Sequence, residues 1–115
     1  NFHTIYEFER MIRVGGVTFP EPDVSNCGGI TPWMKVATLA EANNLRVTSH
    51  GVHDIHVHLL AAIPNKSYME WHGFGLEQYF ESPALTLDDQ GRATAPDRPG
   101  HGVAFEWAKL EPFKR

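Results

Sequence analysis

"EPDVSNCGGITPWMKVATLAEANNLRVTSHG", Glu21 to Gly51, carries the alternation that decides the fold. It is preceded by the β-formers Val17, Thr18 and Phe19, and its two flanking prolines, Pro20 and Pro22, suit the place where a strand stops pairing rather than its middle. Asp23 is therefore placed at a strand's C-terminal end. A glycine turn leads into a helix: Thr31 is the expected cap, Pro32 fits the first turn, and Trp33, Val36, Ala37 and Ala40 fall on one face. Asn43-Asn44 closes that helix, "LRVTS" reads as a second short strand, and His50 ends it as Asp23 ends the first.

Working outward, Ile5, Phe8, Met11 and Ile12 recur at helical spacing from Thr4, and Gly15-Gly16 supplies the stop. After the Gly51 turn, Ile55, Leu59, Ala62 and Ile63 mark a third helix, halted before Pro64-Asn65. The order helix, strand, helix, strand, helix with short connections indicates parallel strands joined by right-handed crossovers, as in a doubly wound sheet or a (β/α)8 barrel. Residues 1–66 are assigned to such βα units. Residues 67–115 change character: "KSYMEWHGFG" is read as a short extended segment, and "PALTLDDQGRATAPDRPGHGVAFEW" as strands around a turn at Asp88 to Gly91 that pack back on something else. The chain opens on Asn1 with a helical pattern at once, so it is read as a fragment of a longer chain.

With 115 residues, 42% of them hydrophobic and 11% aromatic, the composition is globular and supports a core. The formal charge of −4 has no basic run behind it, which argues against nucleic acid and polybasic membrane contacts and favours small-molecule chemistry. No apolar stretch approaches the ~20 residues of a membrane helix. Cys27, the single cysteine, excludes an internal disulfide framework and a cysteine-rich zinc module, and fits a reducing, cytoplasmic location.

Functional groups in such architectures gather at the carboxyl ends of strands, and neighbouring strands lie roughly 4.8 Å apart. Asp23 and His50 can then meet. A carboxylate accepting one ring N–H fixes the imidazole tautomer and directs the other nitrogen to a substrate as base or acid. The plainer reading has Asp23 capping the turn "DVSNCGG" while His50 fills a polar loop.

Four of the seven histidines crowd into nine positions: His50, His53, His56 and His58. A zinc site is the obvious alternative, yet His50 belongs to a strand end while His56 and His58 point in different directions from a helix, and no H-E-x-x-H motif or cysteine pair is present. His56 falls near the Ile55, Leu59 and Ile63 face as a partly buried, hydrogen-bonded structural residue. His58 sits on the flank, and His53, close to the strand end, is the one placed for substrate contact. His3, His72 and His101 carry no argument beyond loop or surface positions. The turn "CGGIT" lacks a phosphate-binding fingerprint and is read as structural.

The ordered set "EPDVSNCGGITPWMKVATLAEANNLRVTSHG", "HLLAAIPN", "YMEW" and "APDRPGHGV" resembles the C-terminal part of enolase-superfamily enzymes of the mandelate racemase subgroup. The resemblance implies the C-terminal portion of a (β/α)8 barrel, with Asp23 closing the seventh strand and His50 the eighth. It implies that His50 is the general base, Asp23 its orienting partner, and Glu70 the carboxylic acid that hydrogen-bonds the substrate carboxylate; an exposed strand charge is the plainer reading of Glu70. It further implies Mg²⁺, held by three acidic residues expected upstream of Asn1, a sugar-acid substrate, and a homo-oligomer. The implied activity is an acid-sugar dehydratase that removes the proton α to a carboxylate and expels the β-hydroxyl to give a 2-keto acid. A racemase or epimerase of a 2-hydroxy acid, or a catalytically silent binding or assembly relative, are the alternatives.

Overall fold

The computed structural model describes residues 1–72, 75–81 and 85–115, which form two compact units, Asn1–His72 and Gly73–Arg115. Three helices build the first unit. Helix α1, Ile5–Arg13, starts on a capping box: the Glu7 amide donates to the Thr4 hydroxyl at 3.4 Å, and the Thr4 amide donates to Glu7 Oε2 at 2.8 Å. It ends as Gly15-Gly16 predicts, with Gly16 N–H on the Met11 carbonyl at 2.9 Å and Gly15 N–H on Ile12 at 3.0 Å, Gly15 standing at φ 69°. Phe8 and Ile12 face inward.

Helix α2, Ile30–Ala42, buries Trp33, Val36, Ala37 and Ala40, the face expected from their spacing. Its cap differs from expectation. The N-cap is Gly29, and Thr31 lies inside the first turn and is exposed. Gly29 at φ 104° and ψ −170° occupies backbone space that side chains disfavour, so glycine freedom, not a hydroxyl, makes the entry to this helix. Helix α3, His53–Ala61, buries His53, His56, Val57, Leu59 and Leu60.

The expected strands are present only as extended chain; among the described residues there are isolated bridges and no ladder. The chain at 45–49 runs between two other segments. On one side Thr48 N–H donates to the Pro20 carbonyl at 3.1 Å; on the other Val47 bridges Lys66 in parallel, with Val47 N–H on Asn65 O at 2.9 Å and Ser67 N–H on Val47 O at 2.8 Å. The lack of ladder has a physical cause: Pro20 and Pro22 have no N–H to offer, and a strand exists only through its partners. Residues 67–72, grouped with the C-terminal segment on sequence grounds, are bound into the first unit by this pairing.

The second unit holds a 3₁₀ turn at Leu76–Tyr79, a short helix α4 at Trp107–Leu110, and a bridge between Phe80 and Phe105, whose rings meet edge to face at 5.2 Å. The turn expected at Asp88 to Gly91 is formed: Gly91 N–H donates to the Asp88 carbonyl at 2.9 Å, and Asp88 Oδ1 accepts from the Gln90 and Arg92 amides. Of the segments read as extended, Gly73, Phe74, Pro83 and Ala84 lie outside the described residues. Among the described residues no helix is long and apolar enough to cross a membrane.

Candidate active site

Pro20 and Pro22 are fully buried, and the Trp33 indole N–H donates to the Pro22 carbonyl at 2.9 Å, which fixes the chain just before Asp23. The Pro20–Thr48 bond aligns this segment with the one ending in His50, so both side chains emerge just beyond the same register point. Asp23 Oδ2 stands 3.3 Å from His50 Nδ1, at the long end for a hydrogen bond. Burial alone would raise the Asp23 pKa. The Ser25 hydroxyl at 2.6 Å and amide at 2.8 Å on Oδ1, followed by His50, outweigh it and hold the carboxyl below its ordinary range. Asn26 Nδ2 adds a contact to Oδ2 at 2.9 Å.

An ionised carboxylate can only accept, so the His50 Nδ1 carries the proton and Nε2 is the basic nitrogen. The Asp23 side chain is 10% exposed and that of His50 38%, which puts the carboxylate inside and the imidazole at the surface. His50 also borders a cleft of about 230 Å³ shared with Phe2, Phe8, Val17, Phe19 and Glu21.

Glu70 reaches the same place from the segment paired with residues 47–49. Its amide donates to the buried Ser49 hydroxyl at 3.0 Å, and its Oε2 accepts the Gly51 N–H at 2.7 Å and lies 2.8 Å from His72 Nε2. The Gly51 amide first, then His72 and the more distant His50, hold the Glu70 carboxyl below its usual pKa against the smaller opposing effect of burial. The His50 and His72 rings stand edge to face with centroids 6.4 Å apart.

The structure thus brings together Asp23, His50 and Glu70, and adds His72, which sequence reasoning passed over. The signal was available: in an extended segment residues two apart share a face, so Glu70 and His72 should point the same way. His53 is placed differently. It is 3% exposed and stacks on Trp71 with centroids 4.6 Å apart and planes at 15°, so it offers almost no surface to a solution ligand. His56 is fully buried rather than partly so, between the Val24 amide and the Gly51 carbonyl. His58 lies in the last turn of α3.

Among the described residues no three His, Cys, Asp or Glu side chains converge as a metal-holding group. Asp23 is committed to Ser25, Asn26 and His50, and Glu70 to Gly51 and His72, so these carboxylates do not make a Mg²⁺ site by themselves.

Residues 1–109 match the family model described as enolase C-terminal domain-like. The chain is 56% identical over 110 residues to a 3,6-anhydro-α-L-galactonate cycloisomerase of Streptomyces coelicolor, covering 96% of this chain and 30% of that protein. A crystal structure of a racemase from Streptomyces coelicolor with bound magnesium superposes with TM-score 0.89 at 52% identity, over 97% of this chain and 30% of the other. An L-talarate dehydratase from Polaromonas, crystallised with Mg and L-glucarate, superposes with TM-score 0.86 at 33% identity, over 99% of this chain and 31% of the other. The chain therefore spans about a third of the length of these relatives.

Proposed function

The chain belongs to the enolase superfamily, in its mandelate racemase subgroup, and on that premise we propose that it supplies the base side of an enzyme that abstracts the proton α to a sugar-acid carboxylate and eliminates the β-oxygen. The observation that carries this reading is the Asp23–His50 pair, a partly exposed imidazole oriented by a buried, hydrogen-bonded carboxylate.

In the proposed reaction His50 Nε2 takes the α-proton. Its imidazolium is stabilised by Asp23, whose charge is secured by Ser25. The electrons of the broken C–H bond pass into an enediolate, then expel the β-oxygen. His50 returns its proton to that oxygen, water departs, and the resulting enol becomes a 2-keto acid. Glu70 has Oε2 taken up by Gly51 and His72, which leaves Oε1 for the substrate carboxylate. A second anion beside Glu70 raises its proton affinity, so ligand binding favours the protonated form that can donate. The magnesium named for two structural neighbours would be held by carboxylates outside residues 1–115 in this proposal. The portion of a (β/α)8 barrel, the sugar-acid substrate and the homo-oligomeric assembly belong to the same proposal.

A second reading draws on the 56% identity to a cycloisomerase. If the β-oxygen belongs to an intramolecular ether, the same elimination opens a ring and loses no atoms. Both fates share the first step, so the test addresses that step. In the full-length protein, His50→Asn is expected to abolish exchange of the α-proton with D₂O while leaving L-glucarate binding within about threefold, because the lost group acts on the proton and not on the bound carboxylate. Exchange at the wild-type rate would remove His50 as the base. Mass analysis of the product then separates loss of water from isomerisation.

A further inference from the structure

Asp23 and His50 are each followed by a loop residue, Val24 and Gly51, and one buried ring joins those two loops. His56 is fully buried, with Nε2 3.1 Å from the Val24 amide and Nδ1 3.0 Å from the Gly51 carbonyl. An amide N–H can only donate, so Nε2 must accept. Nδ1 then carries the proton and donates to Gly51. The two contacts select a single neutral tautomer, and burial works in the same direction by holding the ring's pKa below the ordinary imidazole value.

The rest of the site is fastened to the same residues. Gly51 donates its N–H to Glu70 Oε2 at 2.7 Å. It stands at φ 68°, and a Cβ placed on it would lie 3.1 Å from Asp23 Oδ2, so its backbone rests against the carboxylate. A shift of Gly51 would therefore move the support of Glu70, the packing on Asp23 and the residue next to His50 together.

We propose that His56 is a positioning residue, a strut that holds the Val24 and Gly51 backbones one imidazole apart and so sets the Asp23–His50 spacing. The proposal rests on the reading of His50 as the base. A ring that merely filled space beside Trp33, 5.9 Å away, would affect stability alone, and its loss would add independently to other defects. A strut acts through the Asp23–His50 contact. Its loss should matter little once Asp23 is gone.

The test is a mutant cycle in the full-length protein, following α-proton exchange of L-glucarate and of 3,6-anhydro-L-galactonate in D₂O. His56→Phe is expected to slow exchange by about 10- to 100-fold with little change in KM, since small misplacements of reacting groups cost on that order. His56→Gln, which keeps a donor and an acceptor, should recover part of the rate. In an Asp23→Asn background, His56→Phe should cost less than about threefold. A folded His56→Phe protein at the wild-type rate, or an equal loss in both backgrounds, overturns the strut. His50→Asn run in parallel separates the two ideas, because exchange surviving in that variant sinks the base and not the strut. Nitrogen-15 NMR of the wild-type protein at neutral pH needs no variant to fold and no substrate: His56 should show the neutral Nδ1–H form, and an Nε2–H or charged ring overturns the proposal.

Discussion

Two donors meet a single oxygen of Glu70, the Gly51 amide at 2.7 Å and His72 Nε2 at 2.8 Å. Both favour the anion. His72 thus restrains the residue expected to donate a proton, and replacing it with Phe should raise the Glu70 pKa toward the ordinary carboxylate value without moving the Gly51 contact. A carbon-13 titration of the Glu70 carboxyl in the two proteins measures this directly; coincident titration curves would show that His72 has no hold on it. Asp23 and His50 could be singled out in the sequence because each stands where a recognisable segment ends, whereas Glu70 was legible only through the resemblance to the enolase superfamily. His72 could not be valued the same way, since its role depends on residues 65–70 lying beside residues 47–49, a pairing that no local pattern announces. His56 was legible as a core histidine, but its partners are 32 and 5 residues away in sequence and only the folded chain shows that they belong to the two site loops.

At the scale of elements, the helices were readable because their causes are local. The Thr4–Glu7 capping box, the Gly15-Gly16 stop and the Trp33, Val36, Ala37, Ala40 face all act within a few residues of themselves. Extended segments have no such autonomy, and residues 17–22 and 45–49 show lateral bonds without a ladder. The start of α2 is where local reading went astray: a threonine looked like a cap, while the chain uses a positive-φ glycine. Gly29→Ala isolates that choice. Nothing lies within 4 Å of an added Cβ, so no clash contributes, and the cost is backbone strain alone at φ 104°. A loss of about 1–3 kcal/mol in urea unfolding is expected. Thr31→Ala, removing an exposed hydroxyl that caps nothing, should change stability by less than about 0.5 kcal/mol. The reverse order of the two effects would restore Thr31 as the cap.

The first unit as a whole carries an acid sensitivity that follows from what it buries. His56 is neutral in the fold, with its pKa held below 6.5, and its Nε2 accepts from an amide that cannot turn away. In the unfolded chain the same ring takes up a proton near its ordinary value, so the unfolded state binds more protons as the pH drops below about 6.5. The stability that His56 contributes is fully present above the unfolded pKa and is lost as the pH falls toward the folded one. Asp23, lowered from 3.8, has the same sign in a more acidic window: its contribution is present above the unfolded value and disappears as the pH falls through the folded one. Among the charged or titratable groups that act on the His56 ring, Asp23 raises its pKa and His50 lowers it. Asp23 and Glu70 bring slopes of their own, so the informative quantity is a difference. Urea midpoints of the wild type and of His56→Gln, taken at about pH 7.5 and about pH 5.5, should show the larger acid loss in the wild type, even though the variant is the less stable protein at the higher pH. An equal loss in both would mean that the ring at the junction of the two loops is not held neutral, and the tautomer on which its two backbone contacts depend would go with it.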